Sequence, residues 1–484
     1  MQDANRLSPG SAEIRRMCEE AAGFMTGYYD GLRARRVMPE VSSAELRGLI
    51  VEPLPRRGME FDALLGVVRD VIVQYSRHNG HPRFFGYVAS PGTAVGAVGE
   101  MLTATLNANV TSWRSSPAAA EIEHVTVNWL KEMLGYPESA LGLFVSGGSM
   151  ANFSALAAAR SAKGPADVSQ AGLCASGRRM RVYVSEEAHF SSRKAAGLLG
   201  IGEANVVLVG TDGQCRMDVD HLRRLVCVDE EAGYLPLCVV GSAGTVSTGA
   251  FDPLAEIGAI AEAHNLWFHV DAAYGGFAAL AHSTRALFRG IEAADSVTLD
   301  PHKWAYLPTG VGCVLYRDAA WARKAFAHDA DYTRVIGHER DESFAFWDYG
   351  PELSRRFRAL GLWLLLKHVG AEALGAAIEQ NMACARYVEE LVRGSDDLEM
   401  LAPVGLSVFC FRYAPKGFAG DLDALNERVL VELQRDGSSY LSNARVGGRF
   451  ALRGCVLNYR TTARDMEVMV EDVRRVGRVV VGEA

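Results

Sequence analysis

The sequence lacks the cysteine patterns of a disulfide framework or a zinc cluster. Its nine cysteines are odd in number, are scattered over the 484 residues, and include no Cys-x-x-Cys pair. Thiols spaced in this way are typical of reduced, mostly buried side chains in an intracellular protein. We therefore expect a cytoplasmic protein without a bound metal.

The sequence also lacks an excess of positive charge and a long, uninterrupted apolar run. Fifty lysines and arginines stand against 58 acidic residues, a formal net charge of −8, which gives no electrostatic footprint for nucleic acid or an anionic membrane. The uncharged stretches 139–159 and 232–251 are interrupted by Gly, Ser, Thr or Asn, which disfavours membrane-spanning helices. No positively charged segment followed by an apolar one marks a signal peptide. We expect a soluble protein that binds neither nucleic acid nor membrane.

Glycine is the residue in excess. The chain has 49 glycines, about 10% of its residues against a usual ~7%. Such an excess indicates either flexible linkers or loops in which the backbone approaches another group closely. No low-complexity linker or internal repeat is evident, and the glycines cluster after predicted strands, so we favour the second explanation.

Apolar periodicity divides the chain into three parts. Spacings of three and four residues predict helices over the first ~80 residues. From about residue 140, short apolar runs alternate with helical stretches, which predicts βαβ units and a mostly parallel sheet. A smaller α+β unit follows Gly370. The predicted boundaries are 1–85 for a helical segment, 86–370 for a large α/β domain and 371–484 for the small domain. The predicted strands of the large sheet are 143–145, 181–184, 206–209, 237–240, 266–270, 297–299 and 313–316, and the predicted helices include 153–162 and 351–374.

Two segments that follow predicted strands suggest a binding site, because ligands of parallel α/β sheets gather at the carboxyl ends of the strands. Segment 146–152 (SGGSMAN) is a glycine-rich turn that opens a helix and offers backbone N–H groups to a phosphate. A tight turn that binds nothing is an equal alternative. Segment 267–276 (WFHVDAAYGG) places His269 and Asp271 on one face, with room beyond them for a planar ligand. The alternatives there are a metal pair, a helix cap or a salt-bridge partner for Asp271.

Two further segments carry candidate catalytic side chains. Segment 300–304 (DPHKW) places Lys303 after a strand in a weakly charged neighbourhood. Desolvation there is expected to lower the pKa of Lys303, as an imine-forming amine requires. Segment 187–191 (EAHFS) contributes His189. Taken singly, the lysine reads as a surface residue and the histidine as a structural one.

Together these segments supply the parts that pyridoxal 5'-phosphate (PLP) requires. A lysine holds the aldehyde, a carboxylate keeps the pyridine nitrogen protonated, a helix N-terminus takes the phosphate, and an imidazole stacks on the ring. A nicotinamide dehydrogenase is disfavoured, because the Gly-x-Gly-x-x-Gly fingerprint is missing.

The order and spacing of HVDAAY and DPHKW resemble the PLP-dependent group II amino-acid decarboxylases, in particular those of the aromatic-L-amino-acid decarboxylase type. The resemblance runs from about residue 81 to residue 358. It implies the PLP fold type I, which is aspartate-aminotransferase-like, with a mostly parallel central sheet, an N-terminal helical segment and a small C-terminal α+β domain. It also implies a homodimer with active sites at the subunit interface, in which the N-terminal helices embrace the partner.

The resemblance also assigns roles to individual residues. Lys303 would bind the cofactor covalently, with His302 near the substrate carboxylate. Tyr332, in a loop at about 327–341, would protonate the substrate carbon after CO₂ leaves, which favours simple decarboxylation over aldehyde formation. The remaining cofactor-binding residues that the resemblance implies are Gly148, Ser149, His189, Thr245, Asp271, Ala273 and Asp300.

The side-chain pocket departs from the family pattern. Asn79, Asn109 and Thr111 stand where relatives that act on aromatic amino acids have apolar residues, and Tyr87 completes the predicted substrate-binding set. Unpaired amide and hydroxyl groups are poor partners for a bare aromatic ring. We therefore expect a substrate with a polar or conjugated side chain. Met150 also replaces the glutamate usual in the phosphate loop, although the backbone donors remain.

The sequence thus predicts a PLP-dependent lyase that decarboxylates an L-amino acid. One alternative keeps the cofactor and processes an S-conjugated cysteine by β-elimination or by decarboxylation-coupled oxidative deamination, as relatives in antibiotic biosynthesis do. Another is a non-catalytic PLP-binding protein. Retention of His189, Asp271 and Lys303 argues against the last of these.

Overall fold

The N-terminal region is helical and only loosely packed. The structure is a computed structural model that describes residues 7–165, 168–173, 177–328 and 342–482. Three helices come first, α1 (Ser11–Gly31), α2 (Ser43–Ile50) and α3 (Phe61–Val67), the last continued by a π-helical stretch, Val68–Val73. None of the three α-helices has a fully buried residue. The apolar faces of these helices are therefore left largely uncovered by the rest of this chain.

A seven-stranded sheet forms the centre of the molecule. The strand order is β1-β7-β6-β5-β4-β2-β3, and β7 alone runs antiparallel to its neighbours. Its strands are buried almost throughout, as expected of parallel strands covered on both faces by helices. The mostly parallel sheet predicted from the sequence is confirmed. The strands are β1 (Leu141–Val145), β2 (Met180–Ser185), β3 (Val206–Val209), β4 (Leu235–Ser242), β5 (Trp267–Ala272), β6 (Ser296–Leu299) and β7 (Gly312–Tyr316).

Helices connect these strands and cover the sheet. The helices that begin directly after β1, β2, β3 and β4 each lead to the next parallel strand, so their N-termini lie near the carboxyl edge of the sheet. The helices up to the end of this region are α4 (Ala94–Leu106), α5 (Pro117–Leu134), α6 (Gly148–Lys163), α7 (Val168–Ala171), α8 (Ser191–Leu198), α9 (Val219–Glu231), α10 (Leu254–Ala263), α11 (Pro301–Trp304), α12 (Ala319–Phe326) and α13 (Ala359–Val369).

The C-terminal part has its own sheet and core. Four antiparallel strands in the order β10-β11-β9-β8 pack against helices around a second apolar cluster. Phe85 belongs to that second cluster, although the predicted boundary assigns it to the N-terminal segment. The boundaries of the three predicted domains remain predictions. The elements are α14 (Ala371–Arg393), β8 (Leu398–Met400), β9 (Val408–Tyr413), α15 (Leu422–Asp436), β10 (Ser442–Val446), β11 (Arg449–Cys455) and α16 (Ala463–Gly482).

Membrane-spanning potential is confined to one helix pair. Within the described ranges, no single helix combines the length and apolar composition needed to cross a bilayer, and α13 with α14 passes that test only as a pair, bent by 92°.

The predicted helix 351–374 is wrong over its first eight residues. Residues 351–358 are irregular, and α13 begins only at Ala359. The segment is held instead by Arg355, whose guanidinium donates to Glu123, to the Phe144 carbonyl at 2.9 Å and to the Val110 carbonyl at 2.7 Å. Local helical periodicity is overridden here by a buried polar contact that joins segments more than 200 residues apart.

Arg355 and Glu123 form a buried ion pair, with side chains 1% and 0% exposed. Glu123 also accepts from the Phe144 N–H at 2.9 Å, and the Phe346 ring lies 4.3 Å from the Arg355 guanidinium carbon. Removing one member of such a pair leaves the other charge buried and unpaired, which costs about 3–5 kcal/mol. The neighbouring Arg356 is paired with Glu100 but is 52% exposed, so its contribution is limited to about 1 kcal/mol.

We therefore expect Arg355→Met to lower the free energy of unfolding by about 3–5 kcal/mol, because the Glu123 carboxylate loses its partner. The matched control Arg356→Met should cost less than about 1 kcal/mol. Urea denaturation of both variants measures the difference. Equal losses would contradict a stabilising role for the buried pair.

Candidate active site

A cavity of about 450 Å³ opens at the carboxyl edge of the large sheet. Loops that follow β1, β2, β4, β5 and β6 all contribute to its wall. Because these five strands are parallel, their carboxyl ends meet at one edge. The nine predicted residues that line the cavity are Gly148, Ser149, His189, Thr245, Asp271, Ala273, Asp300, His302 and Lys303.

Lys303 lies in the short helix α11, directly after β6, and its side chain is only 19% exposed. Its Nζ is 2.9 Å from Asp300 Oδ2. Burial alone would lower the pKa of Lys303, but the carboxylates of Asp300 and Asp271 outweigh it and raise that pKa above its ordinary value. The expectation of a lowered pKa is therefore wrong for the protein without a bound ligand, because the counter-ion lies three residues earlier in the same turn.

Asp271, near the end of β5, is oriented by two hydrogen bonds. Its Oδ1 accepts from the Ala273 N–H at 3.1 Å, and its Oδ2 accepts from Asn152 Nδ2 at 2.8 Å. Both donors fix the carboxylate at the cavity wall without neutralising it. These two hydrogen bonds explain the orientation of Asp271 without the helix cap or the metal pair considered as alternatives.

The glycine-rich segment brings bare backbone to the cavity at the N-terminus of α6. A Cβ atom on Gly148 would lie 2.7 Å from Asp300 Oδ2 and 3.1 Å from Ala273 Cβ. A Cβ on Gly312 would lie 2.5 Å from Gly147 Cα. Glycine is therefore required by close approach at both positions. A helix N-terminus with uncovered backbone N–H groups is a suitable site for a phosphate.

His189 follows β2 and is held through one ring nitrogen. Its Nδ1 accepts from the Ser191 N–H at 3.2 Å and lies 2.8 Å from Ser191 Oγ. Burial, with a smaller effect of the nearby Lys303 charge, lowers the pKa of His189 despite the opposing carboxylates. The imidazole is therefore neutral near pH 7. Phe190, 65% exposed, lies beside it at the rim.

His302 and Thr245 are fixed by contacts of a different kind. His302 Nδ1 donates to the Val311 carbonyl at 2.6 Å, which leaves Nε2, 3.9 Å from Asp300 Oδ2, on the cavity side. Thr245 Oγ1 accepts from the Ala250 N–H at 3.0 Å. Thr245 thereby shapes the loop after β4 as well as lining the cavity.

Sequence reasoning assigned no role to several other lining residues. Asn152 and Ser191 stand within motifs quoted above, and their polar side chains were a usable signal. Tyr274 could not be told from a core tyrosine by sequence, and it packs like one. Its ring centroid lies 4.9 Å from that of Trp304, and its hydroxyl lies 2.6 Å from Ser407 Oγ. The other unassigned lining residues are Ser146, Gly147, Met150, Phe190, Ser242, Gly244, Val246 and Thr309.

The four predicted substrate-binding residues do not line this cavity. Asn109 Oδ1 accepts from the Arg355 N–H at 2.8 Å, and the Thr111 hydroxyl donates to the Leu353 carbonyl. Asn79 accepts from Arg77 at 3.1 Å. Tyr87 is half exposed, with its hydroxyl 3.3 Å from that of Tyr440. Their polar groups thus have partners within the chain. Tyr332 lies outside the described residues, and its role stays a prediction.

One cluster of potential metal ligands lies elsewhere. Ligand atoms of Cys227, Glu230 and His264 are all within 4.8 Å of one another, at the C-terminal ends of α9 and α10. His264 Nδ1 already lies 3.1 Å from Glu230 Oε2, within hydrogen-bond distance. This is the sheet edge opposite the cavity, so the cluster is not part of the candidate active site.

The donor set of the cavity suits PLP. It combines a lysine amine, a carboxylate fixed without a covering cation, a neutral imidazole, and glycine backbone that a Cβ would block. Asp300 Oδ1 is buried without a hydrogen-bond partner among the described residues. This carboxylate oxygen can therefore still accept a hydrogen bond from a bound group.

Comparison with known proteins identifies the family. A sequence model described as "Pyridoxal-dependent decarboxylase conserved domain" matches residues 44–414. The chain belongs to the pyridoxal-dependent decarboxylases. It is 34% identical over 465 residues to an aromatic-L-amino-acid decarboxylase of Bacillus atrophaeus, which covers 96% of this chain and 95% of that protein.

Solved structures agree over nearly the whole length. The crystal structure of Catharanthus roseus tryptophan decarboxylase in complex with L-tryptophan matches with a TM-score of 0.89 at 27% identity, covering 97% of this chain and 99% of that one. Rhodiola rosea 4-hydroxyphenylacetaldehyde synthase matches with a TM-score of 0.88 at 27% identity, covering 98% and 99%. This decarboxylase therefore has the PLP fold type I and is a PLP-dependent lyase.

Bound PLP supplies an electron sink for the pair that remains on Cα when CO₂ departs. The residues described above would hold it through Lys303, Asp271, His189 and the N-terminus of α6. The residues themselves orient the bound groups and neutralise charge.

The Lys303–Asp300 contact predicts the effect of removing the carboxylate. Asp300→Asn takes away the nearest negative charge, so the pKa of Lys303 should fall. At any fixed pH below that pKa, a larger fraction of the amine is then neutral. Reductive ¹³C-methylation of the ligand-free protein followed by an NMR pH titration measures the shift, with Asp318→Asn, at the N-terminus of α12, as the control. An unchanged or higher Lys303 pKa in Asp300→Asn would refute the assignment of Asp300 as its counter-ion.

Proposed function

We propose that this decarboxylase removes CO₂ from an aromatic L-amino acid at the Lys303 cavity and releases the amine. The observation that carries the proposal is the placement of Lys303 between two carboxylates at the strand ends, one of which, Asp271, is fixed by donors from both sides. In this proposal Lys303 binds PLP covalently, and Asp271 pairs with the pyridine nitrogen.

The other cavity residues complete the proposed site. His189 stacks on one ring face and Ala273 packs on the other, with Thr245 beside the ring. Gly148 and Ser149 bind the phosphate at the N-terminus of α6, next to Asp300. His302, whose Nδ1 proton is committed to Val311, offers Nε2 toward the substrate carboxylate.

An aromatic substrate is favoured over the polar one expected from sequence. The expectation of a polar side chain placed Asn79, Asn109 and Thr111 in the substrate pocket. None of the three lines the Lys303 cavity, and each makes a hydrogen bond within the chain. The names of the relatives point the same way, to aromatic L-amino acids and L-tryptophan.

Product analysis tests the proposal. Wild-type protein with PLP should convert one or more of L-tryptophan, L-tyrosine or L-phenylalanine to CO₂ and the matching amine. Lys303→Ala should lose nearly all turnover because the covalent anchor is gone, whereas Lys367→Ala, at an exposed position on α13, should not. A panel of polar amino acids and S-substituted cysteines runs in parallel. Pyruvate with ammonia and no CO₂ would overturn the proposal in favour of β-elimination.

A second candidate outcome is the aldehyde. The structural likeness to 4-hydroxyphenylacetaldehyde synthase shows that this fold also hosts an enzyme named for aldehyde formation. The predicted protonation of the substrate carbon by Tyr332 favours the amine. Detection of aldehyde and peroxide with CO₂ would instead favour decarboxylation-coupled oxidative deamination.

We also propose that the protein acts as a homodimer. The helices α1 and α4 leave an apolar groove, and Met101, Leu102 and Leu106 on α4 are 50%, 40% and 62% exposed. Exposed apolar surface of this extent is typical of an interface. A second copy of the chain, placing its N-terminal helices here, is the occupant we propose. The cytoplasmic location remains a prediction.

A charge placed in the groove should weaken the dimer. We expect Met101→Glu to shift the protein toward monomer in sedimentation velocity, because a carboxylate would be buried without a partner. Val479→Glu, at a similarly exposed position on α16, is the control. Dimers of equal stability in both variants would rule out this face as the interface.

A further inference from the structure

Asn152 occupies the centre of a buried hydrogen-bond network beneath the cavity. It lies in the first turns of α6 and is 1% exposed. Its amide contacts side chains from β5, β6 and the start of α8. No role follows from the glycine-rich motif that contains it. All four of its side-chain contacts are to polar groups, so the orientation of the amide is determined by its partners.

The oxygen of the Asn152 amide accepts two hydrogen bonds. Thr298 Oγ1 donates to Oδ1 at 2.7 Å, and His269 Nε2 lies 3.0 Å from it. Because an amide oxygen can only accept, His269 carries its proton on Nε2 and donates it to Asn152 Oδ1. Nδ1 then accepts from the Ser296 hydroxyl at 2.8 Å, whose oxygen accepts from Trp267 Nε1 at 2.8 Å, and the Ser296 carbonyl lies 3.2 Å from the same Nδ1. Burial lowers the pKa of His269 to about 4, which keeps the ring neutral at neutral pH.

The nitrogen of the same amide donates two hydrogen bonds. One goes to Asp271 Oδ2 and the other to Ser191 Oγ, both at 2.8 Å. His189 Nδ1 accepts from the Ser191 N–H at 3.2 Å, so the His189 proton is on Nε2. The Ser191 hydroxyl that Asn152 holds lies 2.8 Å from the same Nδ1 and donates to it. One amide thus holds the Asp271 carboxylate on one side and the hydroxyl that binds the His189 imidazole on the other.

We infer that Asn152 is a positioning residue that couples Asp271 to His189, because one side chain links the charge partner and, through the Ser191 hydroxyl, the stacking ring for PLP. The inference rests on the proposed function, since it concerns how the Lys303 cavity receives PLP. Asn152 acts through Asp271 and Ser191. It is therefore not a catalytic residue in its own right.

Asn152→Asp tests the donor function with little change in shape. The variant keeps an acceptor oxygen for Thr298 and His269 but replaces the donating nitrogen with a second oxygen. We expect the dissociation constant of PLP to rise roughly tenfold to hundredfold, because Asp271 loses a donated hydrogen bond and faces a second carboxylate in its place. Absorbance titration of the ligand-free protein with PLP measures it.

Asn426→Asp is the matched control. Asn426 is also fully buried, and its amide likewise donates twice, to the Tyr413 and Leu422 carbonyls at 2.8 Å, while accepting from the Tyr413 N–H. It lies in the C-terminal core, away from the cavity. We expect Asn426→Asp to lower the thermal midpoint but to leave PLP affinity unchanged. Equal loss of PLP affinity in both variants would reduce the role of Asn152 to general stability and overturn the inference.

Histidine tautomers give a readout that does not depend on PLP. In ligand-free protein with ¹⁵N-labelled histidine, His189 Nδ1 should show the shift of an unprotonated, hydrogen-bonded nitrogen, assigned with His189→Gln. Asn152→Asp should perturb that signal, because the Ser191 hydroxyl can then turn to the new carboxylate. Ser191→Ala should perturb it too, yet leave the Asn152–Asp271 contact in place and weaken PLP binding far less than Asn152→Asp does.

These outcomes separate the inference from the proposed function. If wild-type protein shows no absorbance band on addition of PLP, the proposed function fails while the tautomer measurement still tests the network. If PLP binds but the His189 signal is the same in wild type and Asn152→Asp, the coupling is overturned and the proposed function stands.

Discussion

The ammonium group of Lys303 and the carboxylates of Asp300 and Asp271 form a charge cluster at the ends of β5 and β6, two adjacent parallel strands. A largely buried ammonium is tolerated only with such partners. The rest of the cavity is arranged around this cluster. Glycine at 148 leaves space beside Asp300, and Asn152 fixes the carboxylate of Asp271. An aldehyde that binds Lys303 must therefore displace the contact between the Lys303 amine and the Asp300 carboxylate.

Much of this site was predictable because parallel strands concentrate function at one edge. The strand ends were recognisable from short buried runs, and nine residues assigned from motifs and from the family resemblance meet in one cavity. The pKa of Lys303 was predicted in the wrong direction, since desolvation was weighed without the ion pair that one helical turn creates with Asp300. The spacing of the two residues was visible in the sequence, but their buried proximity was not.

Contacts between distant segments account for the remaining differences. Asn109 and Thr111 were assigned to substrate, yet their side chains hold the irregular segment before α13. That segment is irregular because Arg355 binds Glu123, 232 residues away. The Asn152 network likewise depends on the register of β5 against β6, which places His269 and Thr298 over one amide. Pairings of this kind are set by the tertiary fold and leave no local pattern.

We have proposed Lys303 as the covalent anchor for PLP in this cavity. Borohydride reduction of the PLP-loaded protein, followed by proteolysis and mass spectrometry of the peptides, identifies the lysine that binds it. We expect one phosphopyridoxyl group per chain, on the peptide that contains Lys303. Modification of another lysine in place of Lys303, or a protein that takes up no reducible PLP, would contradict it.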